Sequence, residues 1–310
     1  MLKLLTYLSV LGLTVGLGFT GIGLTYQQDN AIPADYNGQH VQIDDVKLRY
    51  YQSGKGPDVL LIHGSMGGIE DWETLIPLLE KKFRVTAFDR IGHGFSSTDQ
   101  TGSTLEHNAY LVTKLIEELK LDNVVVVGHS YGGAIALKLA VDKVPQIKAY
   151  VLLAPKAFAD LQPNKLDRIL AIPGFGLGFA AVLAPVIAED FINNGLERAV
   201  YPDRAILPQE FFRQRVRLWS RPGVVVARAQ QVVSAQQTLG AMESQYPNID
   251  RPVYILQGKR DSYQFIRERV KSLAYIIPNA KLEELTDVGH YIQYRQPQAI
   301  LKAVKRAHAP

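Results

Sequence analysis

The apolar positions of this chain fall into three regimes. From Leu4 to Gln28 no charged residue occurs, and Leu4 to Leu24 is a run of Leu, Val, Gly, Phe and Ile relieved by a few Thr, Ser and Tyr. Between His40 and Leu153, short apolar runs alternate with amphipathic stretches. Val59–Ile62, Val85–Phe88, Val124–Val127 and Tyr150–Leu153 are continuous rather than alternating, as strands buried on both faces require. Helical patterns at Trp72–Lys81, Leu105–Lys120 and Ala134–Lys143 separate them, and His40–Tyr51 reads as a strand pair ending at the turn cluster Ser53–Pro57. From Pro155 to about Asp250 the pattern is helical, punctuated by Pro163, Pro173, Pro185, Pro202, Pro208 and Pro222. The αβ alternation then resumes with strands at Val253–Leu256 and Lys281–Leu285 and helices near Phe265–Tyr275 and Pro297–Ala307.

This order predicts an α/β fold, a mostly parallel sheet with helices on both faces. A long helical block between two strands of one sheet predicts a core with an inserted lid. The expected division is an N-terminal membrane anchor or signal peptide over 1–28, a polar spacer over 29–38, the first part of the core over 39–154, the lid over 155–250 and the second part of the core over 251–310.

Leu4–Leu24 is long enough to cross a hydrocarbon core of about 30 Å as a helix. It exceeds the about 7–15 apolar residues of a signal peptide, and Tyr26 to Ala34 offers no small-x-small cleavage pair. A single-pass N-terminal anchor is therefore the leading expectation, ahead of a cleaved signal or a buried core helix. Gly12 and Gly16 form a GxxxG pair, a weak dimerisation signal. Lys3 precedes the run and Lys47 is the next basic residue, which places the N-terminus in the cytoplasm and the remaining chain outside it. Secretion after signal cleavage is the alternative.

Composition narrows the function classes. With 47% hydrophobic and 21% charged residues the 310-residue chain is neither disordered nor fibrous. Its net charge of +4 is spread thinly, which argues against nucleic acid as a partner. The absence of cysteine excludes disulfides, thiolate zinc sites and cysteine nucleophiles. Within the helical block, the uncharged stretch Ile169–Ala188 and the arginines at 198, 204, 213, 215, 217, 221 and 228 have two readings. They are a core-covering face with solvated charge, or an apolar, basic surface that meets anionic lipid.

One constellation carries chemistry. Gly128-His129-Ser130-Tyr131-Gly132-Gly133 follows the Val124–Val127 run directly and leads into helical Ala134–Leu137. This is a GxSxG nucleophile elbow in its strand–turn–helix context, where small residues two before and two after the serine avoid backbone crowding. A serine hydroxyl needs a base that a third group orients. Seven histidines are available: His40, His63, His93, His107, His129, His290 and His308. His63 and His129 sit in glycine turns as buttresses, whereas His290 follows the last strand and reaches the carboxyl edge of a parallel sheet, beside Ser130. Asp261, after the Val253–Leu256 strand, reaches the same edge as the orienting acid, with Asp287 as its rival. Oxyanion donors are expected from the Tyr131 N–H and from the loop His63-Gly64-Ser65-Met66-Gly67-Gly68, Ser65 first and Met66 next.

HGSMGG, the loop Asp89–Ser96, GHSYGG, the turn Gly258–Asp261 and Gly289-His290 occur in the order of the α/β-hydrolase superfamily, and the chain from about Asp58 onward resembles it. Within the superfamily it resembles the lid-bearing serine esterases and lipases, including membrane-anchored members of the monoacylglycerol-lipase-like kind. That resemblance implies a Ser130–His290–Asp261 triad cleaving lipophilic carboxylic esters through an acyl-enzyme, without metal or cofactor. The haloalkane dehalogenase and epoxide hydrolase branches are similar in layout but use an aspartate nucleophile where this chain has Ser130. Two further readings keep the triad: hydrolysis of a carbon–carbon bond in dienoic ring-cleavage products, and a cofactor-free haloperoxidase activity. A reading from another class is a non-catalytic, membrane-bound binding protein that retains the fold.

Overall fold

The continuous valine-rich runs become interior strands because alternate residues of each run feed a different core. The computed structural model describes residues 2–98, 102–160 and 162–309. Its strands are β1 (Gln39–Ile43), β2 (Val46–Ser53), β3 (Asp58–Ile62), β4 (Arg84–Phe88), β5 (Val124–His129), β6 (Ile147–Leu153), β7 (Val253–Gly258) and β8 (Ala280–Leu285). They form one eight-stranded sheet in the order β1-β2-β4-β3-β5-β6-β7-β8. Every pairing from β4 to β8 is parallel, and β1 and β2 close one edge antiparallel. In β5, Val124 and Val126 join one core, while Val125 and Val127 join the other.

Helices cover both faces. On one side lie α3 (Leu105–Glu118), α4 (Tyr131–Val141) and α9 (Gln264–Ile276), and on the other α2 (Ile76–Leu79) and α11 (Pro297–His308), with α10 (Ile292–Arg295) leading into α11. The helix expected over Trp72–Lys81 is instead a 3₁₀ turn, Ile69–Trp72, followed by α2. Pro77 explains the break: it takes the start of a helix but cannot continue one.

Between β6 and β7 the chain forms α5 (Lys165–Leu170), α6 (Phe175–Ala199), α7 (Gln209–Trp219) and α8 (Pro222–Glu243). The uncharged stretch Ile169–Ala188 turns at Pro173-Gly174, where Gly174 has φ +70°, and α6 then runs on through Pro185. The arginines of this insertion are mostly engaged within the protein. Arg204 pairs with Glu197, Arg213 with Glu210, Arg215 with Asp71, Arg217 with Asp35 and Arg228 with Asp167, and Arg221 donates to the carbonyls of Gly94 and Asp29.

The N-terminal run is helical, as its apolar content predicts, but the expected membrane span is corrected. Among the described residues no helix is long and apolar enough to cross a membrane. In α1 (Leu2–Thr25), five glycines and several hydroxyl side chains dilute the apolar surface. The helix lies against α6. Phe19 packs edge-on to Phe175 and Phe179 at ring distances of 5.6 and 5.4 Å. A Cβ on Gly23 would sit 1.8 Å from the Gly174 carbonyl oxygen, so only glycine permits the approach. Gly12 and Gly16, the GxxxG pair, have no such neighbour within 4 Å. The N-terminal half of α1 is exposed all round, with Tyr7, Val10, Leu11, Leu13, Val15 and Leu17 open to solvent.

Candidate active site

The strand–turn–helix grammar places Ser130 between the end of β5 and the first residue of α4, with φ 51° and ψ −112°, a conformation costly for any residue with a Cβ. The surrounding hydrogen bonds impose it. The Ser130 N–H donates to the Leu153 carbonyl at 2.9 Å, and the Ser130 carbonyl accepts from the N–H groups of Gly133 and Lys156, both at 3.0 Å. The glycines are sterically required as expected: a Cβ on Gly132 would lie 2.1 Å from the Ile62 carbonyl oxygen, and one on Gly128 would lie 2.4 Å from the carbonyl oxygen of Gly132.

Parallel topology brings the loops after β7 and β8 to the same edge. Asp261 is fully buried and accepts from His290 Nδ1 at 2.8 Å, from Gln257 Nε2 at 3.0 Å and from the Tyr263 N–H at 2.9 Å. Burial pushes the Asp261 carboxyl up, but the charge of His290 and these three donors outweigh it and hold the group below the ordinary aspartate value. Because a carboxylate only accepts, Nδ1 of His290 carries the proton, leaving Nε2 as the acceptor. The rival acid, Asp287, has a side chain 72% exposed and faces Arg260 at 3.9 Å. Ser130 and His290 line one cavity, and the Ser130 hydroxyl has no hydrogen-bond partner among the described residues.

Tyr131, Ser65 and Met66 line the same cavity. Their N–H groups have no acceptor among the described residues, so all three are available to a ligand. The loop carrying Ser65 and Met66 is held from below. His63 Nδ1 donates to the Gly64 carbonyl at 2.9 Å and its Nε2 accepts from the Arg90 N–H at 3.0 Å, while Asp89 accepts from the Ile69 N–H at 2.9 Å and pairs with Arg49 at 3.0 Å.

Of the seven histidines, only His129 and His290 line the cavity. The buttressing expected of His63 and His129 is what both do. His129 Nε2 donates to the His290 carbonyl at 3.0 Å, and burial pushes its pKa down to about 3. Burial likewise holds His63 and His93 well below the ordinary histidine value.

The cavity measures about 470 Å³, and Met66, Ile192, Ala199, Trp219, Val232 and Phe265 give it a largely apolar wall. Three cationic residues also line it: Lys156, which the sequence patterns pass over, and Arg198 and Arg228, which they read only as solvated or lipid-facing charge. Lys156 had a usable signal, since it follows the β6 strand at the sheet edge that carries Ser130. Among the described residues, no group of three or more His, Asp or Glu side chains is arranged to hold a metal ion.

Comparison with known proteins agrees with the fold. Residues 57–297 match the family described as alpha/beta hydrolase fold. The acetyltransferase component of the acetoin-cleaving system of Cupriavidus necator is 36% identical over 51% of this chain and 41% of that protein, so this chain spans less than half of that relative. Haloalkane dehalogenase 2 of Mycobacterium tuberculosis is 24% identical over 83% of this chain and 90% of its own length. A 2-hydroxy-6-oxo-2,4-heptadienoate hydrolase of Pseudomonas putida is 25% identical over 86% and 94% of the two chains.

Proposed function

This chain belongs to the alpha/beta hydrolase fold family, and on that premise we propose that it is a serine hydrolase that cleaves carboxylic esters through an acyl-enzyme. The observation that carries the reading is the 2.8 Å bond between Asp261 and His290 Nδ1, made beside the strained Ser130 on one cavity. In this reading His290 Nε2 takes the Ser130 proton as the hydroxyl oxygen attacks the ester carbonyl. Asp261 fixes the imidazole tautomer and stabilises its charged form. The N–H groups of Tyr131, Ser65 and Met66 receive the oxyanion, His290 returns the proton to the departing alcohol, and water then releases the acid by the same path reversed. The apolar cavity wall favours a lipophilic substrate. Turnover of p-nitrophenyl esters of graded chain length tests it, and full turnover by Ser130→Ala would overturn it.

A second reading keeps the same three residues and changes the bond. The Pseudomonas putida relative, aligned over 94% of its length, is named for hydrolysis of a dienoate, which favours carbon–carbon bond cleavage. Efficient turnover of a dienoic ring-cleavage product, with poor turnover of every ester, would select it.

The reading extends to where the substrate is met. Exposed apolar residues occur on α1 and, at Val182 and Val186, on the insertion helix α6 that α1 packs against. Surface of that kind suits contact with the headgroup–acyl boundary of a lipid layer.

A further inference from the structure

We propose that Lys156, backed by Arg228, forms an anion subsite in the active-site cavity, so that the preferred substrate carries a carboxylate as well as the scissile bond. This deepens the hydrolase reading and rests on it for the catalytic part of the test alone.

Lys156 follows β6, and its N–H donates to the Ser130 carbonyl at 3.0 Å, which fixes its backbone beside the elbow. The residue is only 8% exposed and lines the same cavity as Ser130 and His290. Its ammonium has no hydrogen bond or ion pair with any described residue. The side chain is buried while its unpartnered ammonium is left to the cavity, where a ligand carboxylate would supply the charge partner that the protein does not.

The carboxylates that could serve it are already taken. The charged groups acting on Lys156 are Arg228, Asp160 and Asp167. Asp167 is paired with Arg228, and Asp160 with Arg269 at 3.0 Å. The carboxylate on the cavity lining, Asp71, is held by Arg215 at 2.7 Å. Arg198 lines the cavity with no carboxylate partner among the described residues. The cavity therefore holds an excess of positive charge inside an apolar wall, and an amphiphilic acid ester satisfies both features. A carboxylate on Lys156 gains a charge-assisted hydrogen bond in a desolvated site. Burial, reinforced by Arg228, lowers the Lys156 pKa to about 8, so the ammonium is present at neutral pH.

Two substrate pairs test this: p-nitrophenyl hydrogen adipate against p-nitrophenyl hexanoate, with the carboxylate on the acyl side, and 4-acetoxybenzoate against phenyl acetate, with it on the alcohol side. The readout is the ratio of kcat/KM for the charged to the neutral member, measured within each variant. In at least one pair that ratio exceeds one in the wild-type protein, and it falls about tenfold in Lys156→Met and in Lys156→Gln. A loss of packing alone would lower both members together. Calorimetric binding of adipate to Ser130→Ala, weakened about tenfold by adding Lys156→Met, tests the subsite without turnover. Ratios at or below one in both pairs, or ratios and adipate binding unmoved by Lys156→Met, overturn the proposal. Adipate binding that depends on Lys156, with no ester hydrolysed, supports the subsite and rejects the ester reading instead.

Discussion

His129 and His290 are coupled through the main chain: the imidazole Nε2 of the first donates to the carbonyl of the second across 3.0 Å. Their rings lie 4.7 Å apart. The residue before Ser130 thus holds the backbone of the residue expected to deprotonate it, so elbow and base loop are positioned as one unit. Because that bond needs only a neutral imidazole, burial of His129 does not conflict with it. His129→Phe keeps the ring and removes the donor. The expected result is a fall in kcat of about tenfold or more with little change in KM, since small misplacements of reacting groups are costly. Steady-state kinetics on a folded variant would show it, and an unaltered kcat would deny the positioning role.

The buried histidines set the acid limit of stability. His63, His93 and His129 are all held below their ordinary value by burial. The unfolded chain therefore binds protons at these positions below about pH 6.5 that the folded chain does not, and stability falls as pH falls. Asp89, pushed up to about 6 by burial, works in the opposite direction by taking up a proton in the folded state. Asp71 and Asp203, also raised by burial, act in the same sense as Asp89, and the three histidines leave a net fall in stability between pH 7 and pH 5. Urea unfolding at pH 7, 6 and 5 measures this slope, and equal stability at all three would contradict it.

Gly132→Ala probes the elbow directly. The added methyl carbon meets a main-chain carbonyl 2.1 Å away in the first residue pair below the turn, and backbone cannot swing aside as a side chain can. Destabilisation of about 3 kcal/mol or more is expected, in the range of severe overpacking. A thermal melt would register it as a drop in Tm, whereas a wild-type Tm would show that the turn relaxes.

The exposed apolar N-terminal half of α1 predicts lipid attachment that polar substitution removes. Val10→Ser, Leu13→Ser and Leu17→Ser combined should abolish most co-sedimentation with liposomes while leaving the far-ultraviolet circular dichroism unchanged, because these side chains are exposed. Wild-type protein that stays in the supernatant would dismiss the lipid contact altogether.

How far the chain could be read from its residues depended on whether a feature was local. The strands were visible because Val124–Val127 must be apolar on both faces, and Ser130, Asp261 and His290 converged because each follows a strand of one parallel sheet. Other features rest on distant partners that no spacing reveals. The packing of α1 depends on Gly23 meeting Gly174 and on Phe19 meeting Phe175, far apart in the chain. Arg217 looked available for lipid, yet its partner is Asp35. Lys156 gains its meaning only once Asp160 and Asp167 are seen to be occupied by Arg269 and Arg228. Pro77, by contrast, was a local signal that should have divided the helix expected over Trp72–Lys81.

Whether Ser130 is an activated nucleophile is read most directly by mass spectrometry after exposure to a fluorophosphonate at neutral pH. The expected result is a single adduct on the peptide bearing Ser130, with parallel loss of p-nitrophenyl ester turnover, and no adduct in Ser130→Ala or His290→Ala. An unmodified Ser130, or undiminished turnover in Ser130→Ala, would contradict the assignment.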